Sequence, residues 1–116
     1  MKRLFLMVMA VVAFSAANAK TNEMFNVSTD AYKLCEYLNV NDDAVADKVA
    51  DINEFFNQSM QLIANSPKEE LPSRVKVCVE ANKIAMKKIL TNDQFAKYNA
   101  VLDVTLKNKG LDAYMK

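Results

Sequence analysis

Glycine occurs once in this chain, at Gly110, and proline only at Pro67 and Pro72, so almost all of the 116 residues lack the punctuation that breaks strands and builds turns. Helices joined by short corners are the natural reading. The fold expected is all-α: a small four-helix bundle or a helical-hairpin cradle, following an N-terminal signal peptide.

The leader stands apart by composition. Lys2 and Arg3 give a basic start, Leu4 through Phe14 an apolar core, and Ala17-Asn18-Ala19 a small-residue cleavage site, together the pattern of a secretory signal peptide. The apolar run is too short to span a bilayer as a helix, and no cysteine follows the cut to carry a lipid. The expectation is therefore cleavage after Ala19, one helical domain over residues 20–116, no integral membrane segment in the mature chain, and a periplasmic or secreted destination.

Lys2 and Arg3 leave with the leader, so 13 of the 15 basic residues remain against 14 acidic ones and the formal charge moves from +1 to −1. So even a mixture gives no electrostatic footprint for nucleic acid or for an anionic membrane, and no nucleic-acid partner is expected. The roughly 97 residues left have room for one core.

Hydrophobic periodicity places helices over about 29–38, 42–64, 72–90 and 92–108. The segment from Lys20 to Asn26 reads as polar and loosely held. Ser28 or Thr29 then caps the first helix, with Asp30 in its first turn, where the helix dipole favours negative charge. Ala31, Leu34, Cys35 and Leu38 fall on one face, but a helix of about ten residues is too short to persist without docking. Asn41 is the expected cap of the second helix, with Asp42 and Asp43 in its first turn. Val45, Val49, Ile52, Phe55, Phe56, Leu62 and Ile63 form its apolar stripe, opposite Asp47, Asp51, Asn57 and Gln61. At 1.5 Å per residue this helix is roughly 34 Å long, the spine of the fold. Asn65-Ser66-Pro67 and Leu71-Pro72-Ser73 bracket the turn that follows. Ser66-Pro67-Lys68-Glu69 matches a capping box, which allows a third helix from Pro67; a start near Pro72 is preferred.

The third helix is apolar on two flanks. Val75, Cys78, Val79, Ala85, Met86 and Ile89 share one side, while Val77, Ala81 and Ile84 make a second strip beside Lys76, Lys83 and Lys87. Such a helix is either central within the monomer or partly covered by a partner. The corner after it, Leu90-Thr91-Asn92-Asp93-Gln94-Phe95, is a complete helix start. Thr91 and Gln94 form a capping box, and Leu90 and Phe95 supply a hydrophobic staple. The fourth helix carries Phe95, Tyr98, Leu102 and Leu106 on one face and should end at Gly110 as a left-handed cap, with Lys107 and Lys109 at the negative end of the dipole. Leu111 can fold back, and Tyr114 and Met115 either tuck against the bundle or stay free.

In an exported chain two cysteines allow one intramolecular pairing, Cys35 to Cys78, which would tie the first helix to the third. Closing a loop of that length stabilises by about 4 kcal/mol on the chain-entropy model. Two buried free thiols are the alternative, and a redox-active pair lacks a Cys-x-x-Cys motif.

Catalytic machinery is not evident in the sequence. The chain has no histidine, no Gly-x-Ser-x-Gly elbow and no glycine-rich phosphate loop. Asp47 and Asp51 share a helix face but have no Glu-x-x-His partner, so they read as a solvated edge. No enzyme activity, cofactor or divalent metal is expected. Met24, Met60, Met86 and Met115 read as core filler or soft contact surface.

Leu90-Thr91-Asn92-Asp93-Gln94, in a small exported helical chain, resembles the LTxxQ motif of the Spy/CpxP-like family of periplasmic proteins. That resemblance implies a helical-hairpin cradle, often dimeric, acting in envelope stress as an ATP-independent chaperone or as an adaptor for a sensor kinase. Members of the family commonly carry a second motif. Here the matching place, Val40-Asn41-Asp42-Asp43-Ala44, keeps the apolar residue before a cap but loses the Thr and the Gln, and the cysteine pair also departs from the pattern. Two functions follow. One is a chaperone-like holdase that shields apolar segments of unfolded clients with Phe55, Phe56, Val77, Ala81 and Ile84. The other is a structural or adaptor module that forms a homodimer or docks one dedicated protein partner.

Overall fold

The computed structural model describes residues 23–115, so the leader and its cleavage site lie outside the described residues. The α-helices among the described residues are α1 (Ala31–Leu38), α2 (Asp43–Ile63), α3 (Leu71–Ile89) and α4 (Asn92–Lys109), with short 3-10 segments at Glu23–Phe25, Lys68–Glu70 and Leu111–Met115. There is no strand among the described residues, and the architecture is a small all-α bundle.

Helix starts follow the side chains that satisfy the open N–H groups of the first turn. Asp30 caps α1, accepting from the N–H groups of Tyr32 and Lys33 at 3.0 and 3.2 Å. Asp42 caps α2 in the same way, accepting from Ala44 and Val45 at 2.8 and 3.2 Å. The expected caps, Ser28 or Thr29 and Asn41, are displaced to these acids. A carboxylate oxygen takes two N–H groups at once and sits at the positive end of the dipole. The two hydroxyls are moreover engaged elsewhere, Ser28 with Asn26 and Thr29 with Asn53. α1 ends at Asn39, whose left-handed backbone (φ 61°) lets its N–H return to the carbonyls of Cys35 and Glu36.

The Ser66-Pro67-Lys68-Glu69 box does not open α3. Pro67 is extended (φ −55°, ψ 144°) and caps only the 3-10 turn, with no side-chain bond. α3 begins at Leu71 with Pro72 in the first turn, where a missing N–H costs nothing. α4 starts at Thr91 with both arms of the capping box made, at 3.0 and 3.2 Å, and ends at Gly110 (φ 76°). Leu111 then folds back fully buried, and Tyr114 and Met115 pack against the core.

α2 and α3 form a hairpin with the most extensive interface in the molecule. Val49, Met60, Val75, Val79 and Met86 are fully enclosed there. α1 rests on α2 and α4, and the C-terminal turn closes the core against α3 and α4.

The segment before α1 is held rather than loose from Glu23 onward. Val27 N–H donates to Asn57 Oδ1 at 2.8 Å, and Thr29 exchanges two bonds with Asn53, its carbonyl accepting from Nδ2 at 2.9 Å and its hydroxyl donating to Oδ1 at 3.1 Å. Phe25 and Val27 are buried, and Lys109 Nζ meets Glu23 at 3.1 Å. The polar face read for α2 is therefore corrected in part. Asp47 and Asp51 are exposed, but Asn57 and Gln61 are half-buried and Asn53 is buried.

Candidate functional site

At the corner between α3 and α4, Leu90 is buried and Phe95 half-buried against the same core, which puts both members of the staple where the local sequence places them. Gln94 does more than close the box. Its Oε1 accepts from Thr91 N–H, while its Nε2 donates to the carbonyl of Asn39 at 3.1 Å, 55 residues back in the chain. One amide group thus joins the start of α4 to the end of α1, where the positive and negative ends of two helix dipoles meet. Lys97 Nζ stands 5.7 Å from the Tyr37 ring centroid and links the same two helices. The corner borders a shallow depression of about 470 Å³ lined by Leu38, Asn39, Thr91, Gln94 and Lys97 among others.

The candidate contact surface separates into inside and outside. Val77 is 66% exposed and Ile84 49%, with Ala81 half-buried between them. Burial of this strip within the monomer, the plainer of the two readings, is thereby set aside for its two large residues. The inward arc of α3 is already filled by Val75, Cys78, Val79, Asn82, Ala85 and Met86, and at 100° per residue Val77 and Ile84 face the other way. Lys76 and Lys87 are exposed beside them and Lys83 is half-buried. Lys87 Nζ stands 6.0 Å from the Phe95 ring centroid, which ties the edge of the strip to the corner. Phe56 is corrected to a core residue at 4% exposure. It follows Ile52 and precedes Met60 at four-residue spacing, along the centre of the inward stripe. Phe55 lies on the flank, half-buried. Val104, 58% exposed on the outer face of α4, adds an apolar position that the sequence reading omitted.

Cys35 and Cys78 are both buried and both free, so the expected bond between them is not formed in this structure. α1 packs on α2 and α4 and makes little contact with α3. Burial pushes both thiols above their usual range, Cys78 to about 12, which leaves both protonated at neutral pH. Cys35 borders a second shallow depression, about 390 Å³, between α1 and the start of α2.

Deep between α3 and α4, the buried Asn82 donates its Nδ2 to the Tyr98 hydroxyl, and burial raises the Tyr98 phenol to about 12. Asn82 Oδ1 has no hydrogen-bond partner. This pair joins the two helices from inside. Among the described residues, no group of three or more His, Cys, Asp or Glu is placed to hold a metal ion, and no helix is long and apolar enough to cross a membrane. No protein family matches the chain, and neither a curated protein nor a solved structure is similar to it.

Proposed function

We propose that this chain is a non-enzymatic, exported protein-binding module of the chaperone-like, holdase kind, with the outer face of α3 as its contact surface. The observation that carries the reading is the pair Val77 and Ile84, large apolar side chains held in water on a helix whose inward face is already complete. Lysines beside them give the mixed border that suits transient, adaptable contact. Full burial of two such side chains contributes about 3–6 kcal/mol, and half-exposed Ile84 contributes the smaller share. That is no larger than the cost of association, so these two positions alone hold a client more weakly than millimolar. Weak, reversible capture at stoichiometric amounts is what shielding of unfolded segments requires. The resemblance of Leu90 to Gln94 to the LTxxQ motif of the Spy/CpxP-like family supports the same role and the periplasm as its compartment.

The test is delay of aggregation of an unfolded model client at several stoichiometries, with the wild-type chain and with Val77→Glu/Ile84→Glu. The wild type should delay aggregation and the double variant should not, with its helical content and stability within about 0.5 kcal/mol per substitution of the wild type. A wild type without effect rejects the holdase role. A dimer by light scattering that the same variant dissolves assigns the strip to a homodimer instead.

A further inference from the structure

The outer face of α4 is a surface that the bundle leaves uncovered, separate from the strip on α3. Asp93, Ala96, Ala100, Val104 and Lys107 are all exposed, and they lie within about 40° of Ala100 around the helix. Val104 projects from this face, 58% exposed. Beside Ala96 and Lys97 lies the depression of about 470 Å³ between the end of α1 and the start of α4. The face thus carries a hollow at Ala96 and a projection at Val104, four residues to either side of Ala100.

Its charges follow the same symmetry. Asp93 stands seven residues before Ala100 and Lys107 seven residues after it, and neither is in an ion pair among the described residues. A two-fold axis at Ala100 lays a second α4 antiparallel on the first and brings level the residues that lie equally far from Ala100 on opposite sides. Asp93 then meets Lys107 of the second copy, and Lys107 its Asp93, each pair about 10 Å from the axis. A parallel pairing would set Asp93 beside Asp93 and Lys107 beside Lys107, so the charges choose the direction. Lys97 and Asp103 meet their own copies only across about 9 Å, near a Debye length in physiological salt.

The shapes agree with the charges. Val104 and Lys97 lean to the same side of α4, toward α1, and the two-fold axis preserves that side. Val104 of the second copy is therefore carried over the hollow beside Ala96 and Lys97, close to the Tyr37 ring, which is 53% exposed and 5.7 Å from Lys97 Nζ.

We propose that this face is the contact between two copies of the chain. The dimer is antiparallel and two-fold, with Ala100 on the axis, Val104 of each copy in the hollow of the other, and Asp93 of each against Lys107 of the other. The 18 residues of α4 make a face about 27 Å long, at the lower end of specific interfaces, so monomer and dimer exchange freely. Val77 and Ile84 take no part, and the dimer holds whether or not α3 captures clients.

Sedimentation equilibrium from micromolar to millimolar chain concentration tests it. The wild type should pass reversibly from monomer to dimer. Ala100→Glu, at an exposed helical position, should stay monomeric, because two carboxylates then face each other on the axis. Asp93→Lys should weaken the dimer at least tenfold, and Asp93→Lys/Lys107→Asp should bring it back to within threefold of the wild type. Val77→Glu/Ile84→Glu should dimerise as the wild type does. Facing Cα atoms on the axis of two packed helices come within reach of a disulfide, so Ala100→Cys should cross-link on oxidation at least ten times faster than Val77→Cys. A wild type that stays monomeric at millimolar concentration overturns the proposal, as does a dimer that survives Ala100→Glu. A folded double reversal that fails to restore the dimer overturns it too. So does a dimer that Val77→Glu/Ile84→Glu dissolves, which moves the contact to α3. If a charge variant does not fold, the cross-linking decides, and equal rates for Ala100→Cys and Val77→Cys overturn the proposal.

Discussion

Changing Gln94 to Glu separates two tasks that one amide group performs. The carboxylate keeps the acceptor that Thr91 N–H uses at 3.0 Å, and it places negative charge in the first turn of α4, which by itself is favourable by about 0.3–1 kcal/mol. It loses the donor that reaches the Asn39 carbonyl at 3.1 Å, a bond with a net value of about 0.5–1.5 kcal/mol. It also sets a negative charge against the negative end of α1, an unfavourable interaction of about 0.3–1 kcal/mol. The two dipole terms roughly cancel, which leaves the lost bond, and the variant should be less stable by about 1 kcal/mol. For a domain of this size that lowers Tm by about 4–8 °C. Thr91→Ala, which removes only the cap, should also cost about 1 kcal/mol. Gln94→Ala, which loses both of its bonds, should cost about 1–3 kcal/mol. Urea and thermal unfolding followed by circular dichroism give the three values, and hydrogen exchange locates the damage. In Gln94→Glu the last turn of α1 should open while the first turn of α4 stays protected. A Glu variant as stable as the wild type, or more so, would refute the reasoning and reduce Gln94 to a local cap.

Tyr98→Phe deprives buried Asn82 of its remaining partner and should cost about 1–3 kcal/mol. Asn82→Leu/Tyr98→Phe should recover part of that loss in a double-mutant cycle, and strict additivity would show the pair to be uncoupled. Alkaline stability follows from the raised Cys78 and Tyr98, whose usual values are 9.0 and 10.0 and whose folded values are about 12. Above pH 9 the unfolded chain releases protons that the folded chain keeps, so stability is fully present below pH 9 and falls as pH rises toward 12. The slope is about 1.4 kcal/mol per pH unit for each group. Cys78→Ala should lessen the fall that begins near 9.0, which the buried Cys35 shares, and Tyr98→Phe should remove the part that begins near 10.0; unfolding titrations from pH 9 upward measure both. Thiol titration in denaturant without reductant should find both Cys35 and Cys78, and in the folded chain Cys35 should be alkylated ahead of Cys78. An absence of thiols before reduction would restore the bond between them.

What the sequence made legible was local. The start of α4 at Thr91 and its stop at Gly110 use partners within a turn, and both lie where the capping rules put them. The caps of α1 and α2 were misplaced because the choice among neighbouring polar residues is made elsewhere. Thr29 is taken by Asn53, 24 residues on, so Asp30 is left to cap. The bonds from Gln94 to Asn39 and from Val27 to Asn57 span 55 and 30 residues, which no periodicity reports. A signal for the neighbouring bonds of Asn53 to Thr29 did exist: Asn53 interrupts the apolar stripe between Ile52 and Phe56, and a buried amide must find partners. The two apolar flanks of α3 left its orientation open, and packing resolves it, since α2, α4 and the C-terminal turn together enclose only one arc. A cysteine count limits which bond can form but carries no distance.

The meeting of Glu23 with Lys109 also sets the order in which the molecule assembles. α2 and α3 close over a connection of a few residues, whereas this contact joins groups 86 residues apart. Closing so long a loop costs about 2 kcal/mol more in chain entropy than closing the hairpin, so the hairpin forms early and the contact of the N-terminal turn with the end of α4 forms late. Loss of Phe25, whose ring meets Tyr114 at the other end of the chain, should therefore leave the refolding rate nearly unchanged and appear almost wholly as faster unfolding.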